Sequence, residues 1–150
     1  MNLMKNKKIL LQLSGGKDSV ACFLFLKQES LNFETIHFTH SYSYEIPTNM
    51  VKKICSRYKI KLTIINIEKE LNKLFLNNFN KRPCRYCKSI MDSKTIEYAT
   101  RNNFDLICVG DTKDDSMLVN RIKTEKKSPD IKLSKYFNER VLLPNNILIY

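Results

Sequence analysis

Short apolar segments alternate with helix-like segments along this chain, and that alternation constrains the fold more than any other feature of the sequence. Strands are predicted at residues 8–13, 33–39, 61–67, 105–109 and 141–150, the last interrupted by Pro144-Asn145-Asn146. Helices are predicted at residues 18–27, 47–58, 68–76, 88–102 and 114–122. Because strands that alternate with helices build βαβ units, the sequence predicts an α/β fold with a mostly parallel sheet.

The size and composition of the chain fit a single domain at residues 1–150. With 150 residues, of which 43% are hydrophobic, the chain can bury a core of its own, and no repeat or linker divides it. The longest apolar run, at residues 20–26, is too short to span a membrane, and no signal peptide precedes the first strand. These features predict a cytoplasmic protein with no membrane partner.

Positive charge dominates the sequence. The chain has 26 Lys and Arg residues against 15 Asp and Glu residues, which gives a net charge of +11 and a pI near 9.5. Such a balance suits a polyanionic partner such as RNA or DNA. Since the basic residues are spread along the chain and not gathered in one run, the alternative is a lysine-rich surface that only keeps the protein in solution.

A segment rich in glycine and serine joins the first predicted strand to the first predicted helix. It consists of Ser14, Gly15, Gly16, Lys17, Asp18 and Ser19. The glycines let backbone N–H groups approach a phosphate, and the helix that follows points the positive end of its dipole at the same place. Lys17 adds charge, and Asp18 either holds Mg²⁺ or caps the helix. The segment is not a Walker A loop, because Leu11 stands where that loop has glycine and Asp18 follows the lysine.

The sequence SGGKDS at residues 14–19 resembles the signature of the PP-loop ATP pyrophosphatases. The resemblance implies a Rossmann-like (HUP-type) three-layer sandwich with a mostly parallel five-stranded sheet. It also implies the binding of ATP and Mg²⁺ and cleavage of ATP between its α- and β-phosphates. AMP would pass to a substrate oxygen while pyrophosphate leaves, and a nucleophile would then displace AMP.

Two cysteines, Cys84 and Cys87, form a CxxC motif near the end of a predicted loop at residues 77–85. Such a pair is typical of half a zinc site, of a redox pair or of two ligands of an iron–sulfur cluster, and it also occurs incidentally. The neighbouring Arg85 and Lys88 are expected to favour the thiolate forms.

The remaining cysteines and the histidines are expected to have other surroundings. Cys22, Cys55 and Cys108 fall inside predicted helices or strands and are expected in the core, which makes a four-cysteine zinc site hard to complete. His37 and His40 flank the end of the second predicted strand, where the adenine or ribose of ATP would lie. We therefore expect His37, Phe38 and Thr39 to contact the nucleotide.

A second polar segment follows the fourth predicted strand. Gly110 would let the backbone approach a ligand, while Asp114 and Asp115 either bind Mg²⁺ or cap the next helix. Ligands of parallel α/β sheets bind at the carboxyl ends of the strands. Because three polar segments fall just after predicted strands, all three are expected to face one cleft.

The order of these motifs is more specific than any one of them. SGGKDS, then PCxxC opening a helix, then a strand, a glycine and a paired aspartate is similar to the tRNA 2-thiolation branch of the PP-loop family, over about residues 8–122. The resemblance implies that residues 14–19 bind the ATP phosphates, that Lys17 and Asp115 act in catalysis, and that Asp114 and Asp115 lie near Mg²⁺ or the nucleotide. Cys84 and Cys87 would handle sulfur, as persulfide carriers or as ligands of a 4Fe–4S cluster.

Two positions depart from the pattern of that branch. Asp111 stands where the family has histidine, and no cysteine follows Cys108, whereas family members with a cluster have a third cysteine downstream of the pair. A cluster would therefore need a ligand from outside this chain. The partners implied are ATP, tRNA and a sulfur donor protein, and a homodimer would enlarge the RNA surface.

Three hypotheses for the function follow. The first is ATP-dependent adenylation of a carbonyl oxygen of a tRNA base, followed by sulfur transfer. The second is a PP-loop enzyme that acts on a small molecule, by sulfur insertion, adenylyl-sulfate metabolism or amidation. The third is a nucleotide-binding subunit without catalytic activity.

Overall fold

A computed structural model of the chain describes residues 4–77, 83–112, 141–142 and 147–149. Its strands are β1 (Ile9–Gln12), β2 (Phe33–Thr39), β3 (Leu62–Asn66), β4 (Leu106–Thr112), β5 (Val141–Leu142) and β6 (Ile147–Ile149). Its helices are α1 (Lys17–Gln28), α2 (Glu45–Tyr58), α3 (Glu68–Asn77) and α4 (Pro83–Arg101). In this part of the chain no helix has the length and apolar character needed to cross a membrane. The helix predicted at residues 114–122 lies outside the described residues.

The strands form one sheet in the order β3-β2-β1-β4-β6-β5. Strand β1 pairs in parallel with β2 and β4, and β2 pairs in parallel with β3. The prediction of an α/β fold with a mostly parallel sheet is therefore confirmed. The sheet differs from the predicted five strands at one edge, where two short antiparallel strands, β5 and β6, replace the single strand predicted at residues 141–150. The interruption predicted at Pro144-Asn145-Asn146 lies outside the described residues.

Helices cover both faces of the sheet, as a parallel sheet requires. Ile9 and Leu11 of β1 are fully buried in a cluster with apolar side chains of α1 and α2. Leu10, which points to the other face, is fully buried in a cluster with side chains of α3 and α4. The structure is thus a three-layer sandwich, and the predicted Rossmann-like class is confirmed.

Helix α4 begins earlier than the sequence predicts, at Pro83 and not at residue 88. Proline is favoured in the first turn of a helix, because the N–H that it lacks would have no partner within the helix. Met91, Thr95, Tyr98 and Ala99 lie on the face of α4 that is buried or packs against the core. The early start places the CxxC pair within the first turns of α4 and not in a loop.

The order of the strands reverses at β1. The chain continues from β1 to β2 and β3 on one side, and then returns to β4 on the other side of β1. In open α/β sheets the ligand binds at the carboxyl ends of the strands that flank such a switch point. Ser14, just after β1, and Gly110, near the carboxyl end of β4, therefore mark the place where a ligand is expected.

Candidate functional site

A cavity of about 350 Å³ opens at the carboxyl ends of the central strands. It is bordered by Ser14 after β1, His37 and Phe38 of β2, Gly110 of β4, and Lys88 of α4. The expectation that polar segments after separate strands face one cleft is confirmed for these residues. The CxxC helix borders the same cavity, because Lys88 directly follows Cys87.

The loop after β1 is held in shape by its own hydroxyl groups. The N–H of Gly16 donates to Oγ of Ser14 (3.3 Å), Oγ of Ser19 donates to the carbonyl of Gly16 (2.9 Å), and the two serine hydroxyls lie 3.0 Å apart. Gly15 has a φ of 88°, and a Cβ atom there would lie 3.1 Å from Pro47. A glycine at position 15 therefore satisfies both the backbone conformation and the close approach of α2.

The first turn of α1 leaves its N–H groups available to an anion. Gly16 is the N-cap residue, and no side chain caps the helix, so of the two alternatives for Asp18 the capping role is not seen. Lys17 and Asp18 are exposed at the start of the helix. Uncapped N–H groups, the positive end of the helix dipole and a lysine together form an arrangement that binds phosphate.

Gly110 has a packing role that the sequence did not reveal. It lies inside β4, although the strand was predicted to end before it. A Cβ atom at this position would lie 2.8 Å from the backbone nitrogen of Ser19, which is itself buried. The absence of a side chain thus lets the start of α1 approach β4, and Gly110 itself borders the cavity.

His37 is buried and orders two neighbouring segments. One ring nitrogen, Nδ1, lies 2.7 Å from the carbonyl of Leu13, and the other, Nε2, lies 2.9 Å from Oγ1 of Thr48. Since a carbonyl only accepts, the neutral ring carries its proton on Nδ1 and accepts at Nε2 from Thr48. Burial lowers the pKa of His37, an effect that the Leu13 carbonyl opposes and the charge of Lys52 reinforces.

This shift predicts a pH dependence of stability. An unfolded histidine binds a proton below about pH 6.5, whereas His37 in the folded state binds it only at lower pH, so stability falls as the pH is lowered from about 7 to 5. His37→Gln should make that fall shallower, measured as the free energy of unfolding in urea at several pH values.

The control for this prediction is Glu34→Gln. Burial acts to raise the pKa of Glu34, but hydrogen bonds from Lys61 and Lys8 bring it below the usual 4.5. Protonation of Glu34 therefore changes the stability at a lower pH than protonation of His37 does. An unchanged slope in His37→Gln would contradict the role of His37.

The two cysteines of the CxxC motif differ in exposure. Cys84 is exposed, and Cys87 is half-buried. Burial, and secondarily the nearby Cys84, raises the pKa of the Cys87 thiol, so the expectation that basic neighbours favour its thiolate is wrong for this residue. The basic neighbour Lys88 has its Nζ 3.7 Å from Oδ1 of Asp92.

His40 makes a contact with the CxxC pair that the sequence did not reveal. Its Nε2 lies 3.8 Å from Sγ of Cys87, within hydrogen-bonding distance for sulfur. Its Nδ1 is buried and has no hydrogen-bond partner among the described residues. The end of β2 and the start of α4 therefore meet at Cys87, beside the cavity.

The described residues do not by themselves supply the ligands of an iron–sulfur cluster. Within the described ranges no three His, Cys, Asp or Glu side chains are grouped to hold a metal ion. The other cysteines, Cys22, Cys55 and Cys108, are buried in the core as predicted. Only Cys84 and Cys87 lie at the site, and two ligands are too few for a 4Fe–4S cluster.

The other predicted site residues are placed as follows. Thr39 borders a second cavity of about 480 Å³ that adjoins the first one through Tyr44. Asp114 and Asp115 lie outside the described residues, so their roles toward Mg²⁺ remain predictions.

Comparison with known proteins agrees with the family resemblance of residues 14–19. A family model described as a PP-loop domain matches residues 1–134. The tRNA-5-methyluridine(54) 2-sulfurtransferase of Pyrococcus horikoshii is 33% identical over 126 residues, which are 80% of this chain and 40% of that protein. The tRNA-specific 2-thiouridylase MnmA of Sulfurimonas denitrificans is 29% identical over 118 residues, which are 70% of this chain and 34% of that protein. The chain thus spans well under half the length of these curated relatives.

Two solved structures share the fold. The U34-tRNA thiolase NcsA from Methanococcus maripaludis with its 4Fe–4S cluster has a TM-score of 0.63 at 23% identity, covering 90% of this chain and 52% of that one. The NH3-dependent NAD synthetase from Campylobacter jejuni has a TM-score of 0.59 at 22% identity, covering 71% of this chain and 49% of that one. Both support the Rossmann-like class.

Proposed function

The chain belongs to the PP-loop domain family, and we propose that it binds ATP at residues 14–19, adenylates a tRNA base and transfers sulfur to that base through Cys84 and Cys87. One observation carries the proposal. A single cavity is bordered both by the phosphate-binding loop after β1 and by the helix that begins with the CxxC pair. Nucleotide activation and sulfur delivery would therefore meet in one place.

The loop after β1 suits the triphosphate of ATP. The uncapped N–H groups of α1 and the ammonium of Lys17 would stabilise the negative charge that develops on the phosphates as pyrophosphate leaves. Phe38 and Met91 supply apolar walls of the cavity, which suit an adenine ring. Mg²⁺ would neutralise the departing pyrophosphate when bound, with Asp18 and Asp115 as its proposed ligands.

The CxxC pair suits sulfur transfer by persulfide. A sulfur donor protein would load one cysteine as a persulfide, whose terminal sulfur attacks the adenylated carbon of the base, and AMP leaves. The second cysteine then attacks the sulfur of the first, which releases the thiolated base and forms a Cys84–Cys87 disulfide. A thiol reductant restores both thiols. The i, i+3 spacing on α4 places the two side chains on one face of the helix, as this exchange requires.

Two observations support tRNA as the substrate. The two curated relatives reported above are named as tRNA sulfur transferases, and the chain has a net charge of +11. A polyanion with exposed bases is the kind of ligand that such a charge attracts.

The proposal is tested by the products formed from ATP. We expect the protein to convert ATP to AMP and pyrophosphate when tRNA and a persulfide donor are present, and mass spectrometry should find a 2-thio base in the tRNA. Lys17→Ala should lower the rate about ten- to a hundredfold, because it removes charge at the phosphates. The matched control is Lys27→Ala, at the other end of α1, which should keep the wild-type rate.

Other products would overturn parts of the proposal. Formation of ADP would contradict cleavage between the α- and β-phosphates. AMP formed at the same rate without RNA would point to a small-molecule substrate. Equal rates in Lys17→Ala and Lys27→Ala would exclude the proposed role of Lys17.

A further inference from the structure

Helix α2 and its C-cap carry four exposed cations without an ion pair among the described residues. They are Lys52, Lys53, Arg57 and Lys59. Glu45, in the first turn, is the one acidic residue of this helix. Lys53 and Arg57 are four residues apart and therefore lie on one side of the helix. The outer face of α2 thus carries positive charge that no acidic side chain in the described part of the chain neutralises.

Two cations of α4 form ion pairs, in contrast to those of α2. Lys94 lies 3.0 Å from Glu70, and Arg101 lies 2.9 Å from Glu97. Among the described residues, these two helices therefore differ in how much of their positive charge is paired. An unpaired row of cations is the electrostatic feature that attracts a polyanion.

Large side chains are exposed where α2 begins. Tyr44 is 84% exposed and Ile46 is 77% exposed. Tyr44 borders both cavities and lies where they adjoin. Because it is the N-cap residue of α2, the helix fixes the position of its backbone. The preceding Tyr42 donates from its hydroxyl to Oδ1 of Asn72 (3.3 Å), which ties the loop to α3. An exposed aromatic ring at the mouth of a cavity is typical of a platform for a nucleobase.

We propose that these residues form a binding surface for unpaired RNA, in which Lys52, Lys53 and Arg57 hold the phosphate backbone and Tyr44 stacks on a base at the mouth of the ATP cavity. The inference rests on the proposed function, because it assumes an RNA substrate and identifies the surface that binds this RNA. Lys52 and Tyr44 both border the second cavity, so the cations of α2 begin beside the Tyr44 ring. The strand would run along α2 toward the cavity that holds the phosphate loop.

The distribution of side chains on α2 favours RNA over a membrane surface. A helix that lies on a membrane presents apolar residues along its whole length. The exposed apolar side chains of α2, Ile46 and Met50, are confined to its first half, whereas the exposed face beyond them is basic. The cavity next to Tyr44 also gives an unpaired base a place to enter, which a lipid surface does not need.

Fluorescence anisotropy with a labelled single-stranded RNA of about 12 nucleotides tests the surface. The triple variant Lys52→Ala, Lys53→Ala, Arg57→Ala should bind at least about tenfold more weakly, and its slope of log K against log salt should be smaller by about 2, since each lost phosphate contact on a single strand removes about 0.7. The matched control, Lys5→Ala, Lys27→Ala, Arg101→Ala, removes the same charge from other elements and should change both quantities less. Tyr44→Ala should weaken binding about tenfold, while Tyr44→Phe, which keeps the ring, should not.

The outcomes separate this surface from the proposed function. RNA binding that both triple variants weaken equally, or that Tyr44→Ala leaves unchanged, would overturn the surface and leave the RNA substrate standing. Wild-type protein that binds no RNA would overturn both. Binding to phosphatidylserine vesicles in place of RNA, lost in the α2 variant, would assign the face to a membrane. Because RNA binding needs no ATP, the anisotropy measurement tests the surface even if the protein does not adenylate RNA.

Discussion

Replacing both cysteines of the CxxC pair, Cys84→Ser with Cys87→Ser, should lower tRNA thiolation at least about a thousandfold, to the level of the reaction without protein. Serine keeps the size of each side chain but cannot carry sulfur as a persulfide. The site supports this expectation, because Sγ of Cys87 lies 3.8 Å from Nε2 of His40, which follows β2, and Lys88, the next residue, borders the cavity at the carboxyl ends of the strands. The measurement is the amount of 2-thio base per tRNA, by mass spectrometry after a fixed time.

Cys55→Ser is the matched control for this change. Cys55 is buried beside Thr35, away from the cavity, so the same replacement there should keep thiolation once the folded fraction is taken into account. Circular dichroism of both variants reports that fraction. Thiolation that survives the double replacement would contradict a sulfur-carrying role for the pair, whatever the protein does with ATP.

Much of the fold follows from patterns within short segments. The strand predicted at residues 33–39 coincides with β2, because a run of β-branched and aromatic residues without glycine or proline has no competing local structure. The gathering of motifs at one edge of the sheet also follows from sequence, since the carboxyl ends of parallel strands lie at the same edge. The loop after β1 could therefore be assigned to this edge from the sequence alone.

Features that depend on distant contacts could not be predicted. The close approach of Gly110 to Ser19 and the contact of His40 with Cys87 join residues far apart in the chain. The thiolate prediction failed for Cys87 because burial, which depends on distant contacts, raises the pKa of its thiol. The late start predicted for α4 treated proline as a helix breaker, although in a first turn it is favoured.

Gly110→Ala should reduce the free energy of unfolding by about 2–3 kcal/mol, the second large effect that the structure predicts. The new Cβ atom would lie 2.8 Å from the backbone nitrogen of Ser19 and 3.0 Å from its Cα. Backbone atoms at the start of a helix cannot turn aside as a flexible side chain can, so α1 must move away from β4. Urea unfolding followed by circular dichroism gives the loss of stability as a lower midpoint at an unchanged slope.

Gly16→Ala separates this packing effect from the general cost of replacing glycine. At position 16 the nearest atom to a new Cβ is Oγ of Ser14 at 3.5 Å, an ordinary contact, and the φ of −75° suits any residue. The free energy of unfolding of Gly16→Ala should therefore stay within about 1 kcal/mol of wild type. Equal losses in the two variants would mean that α1 does not pack against Gly110 as described. A loss confined to Gly110→Ala would establish that the phosphate loop is held against β4 by the absence of one side chain.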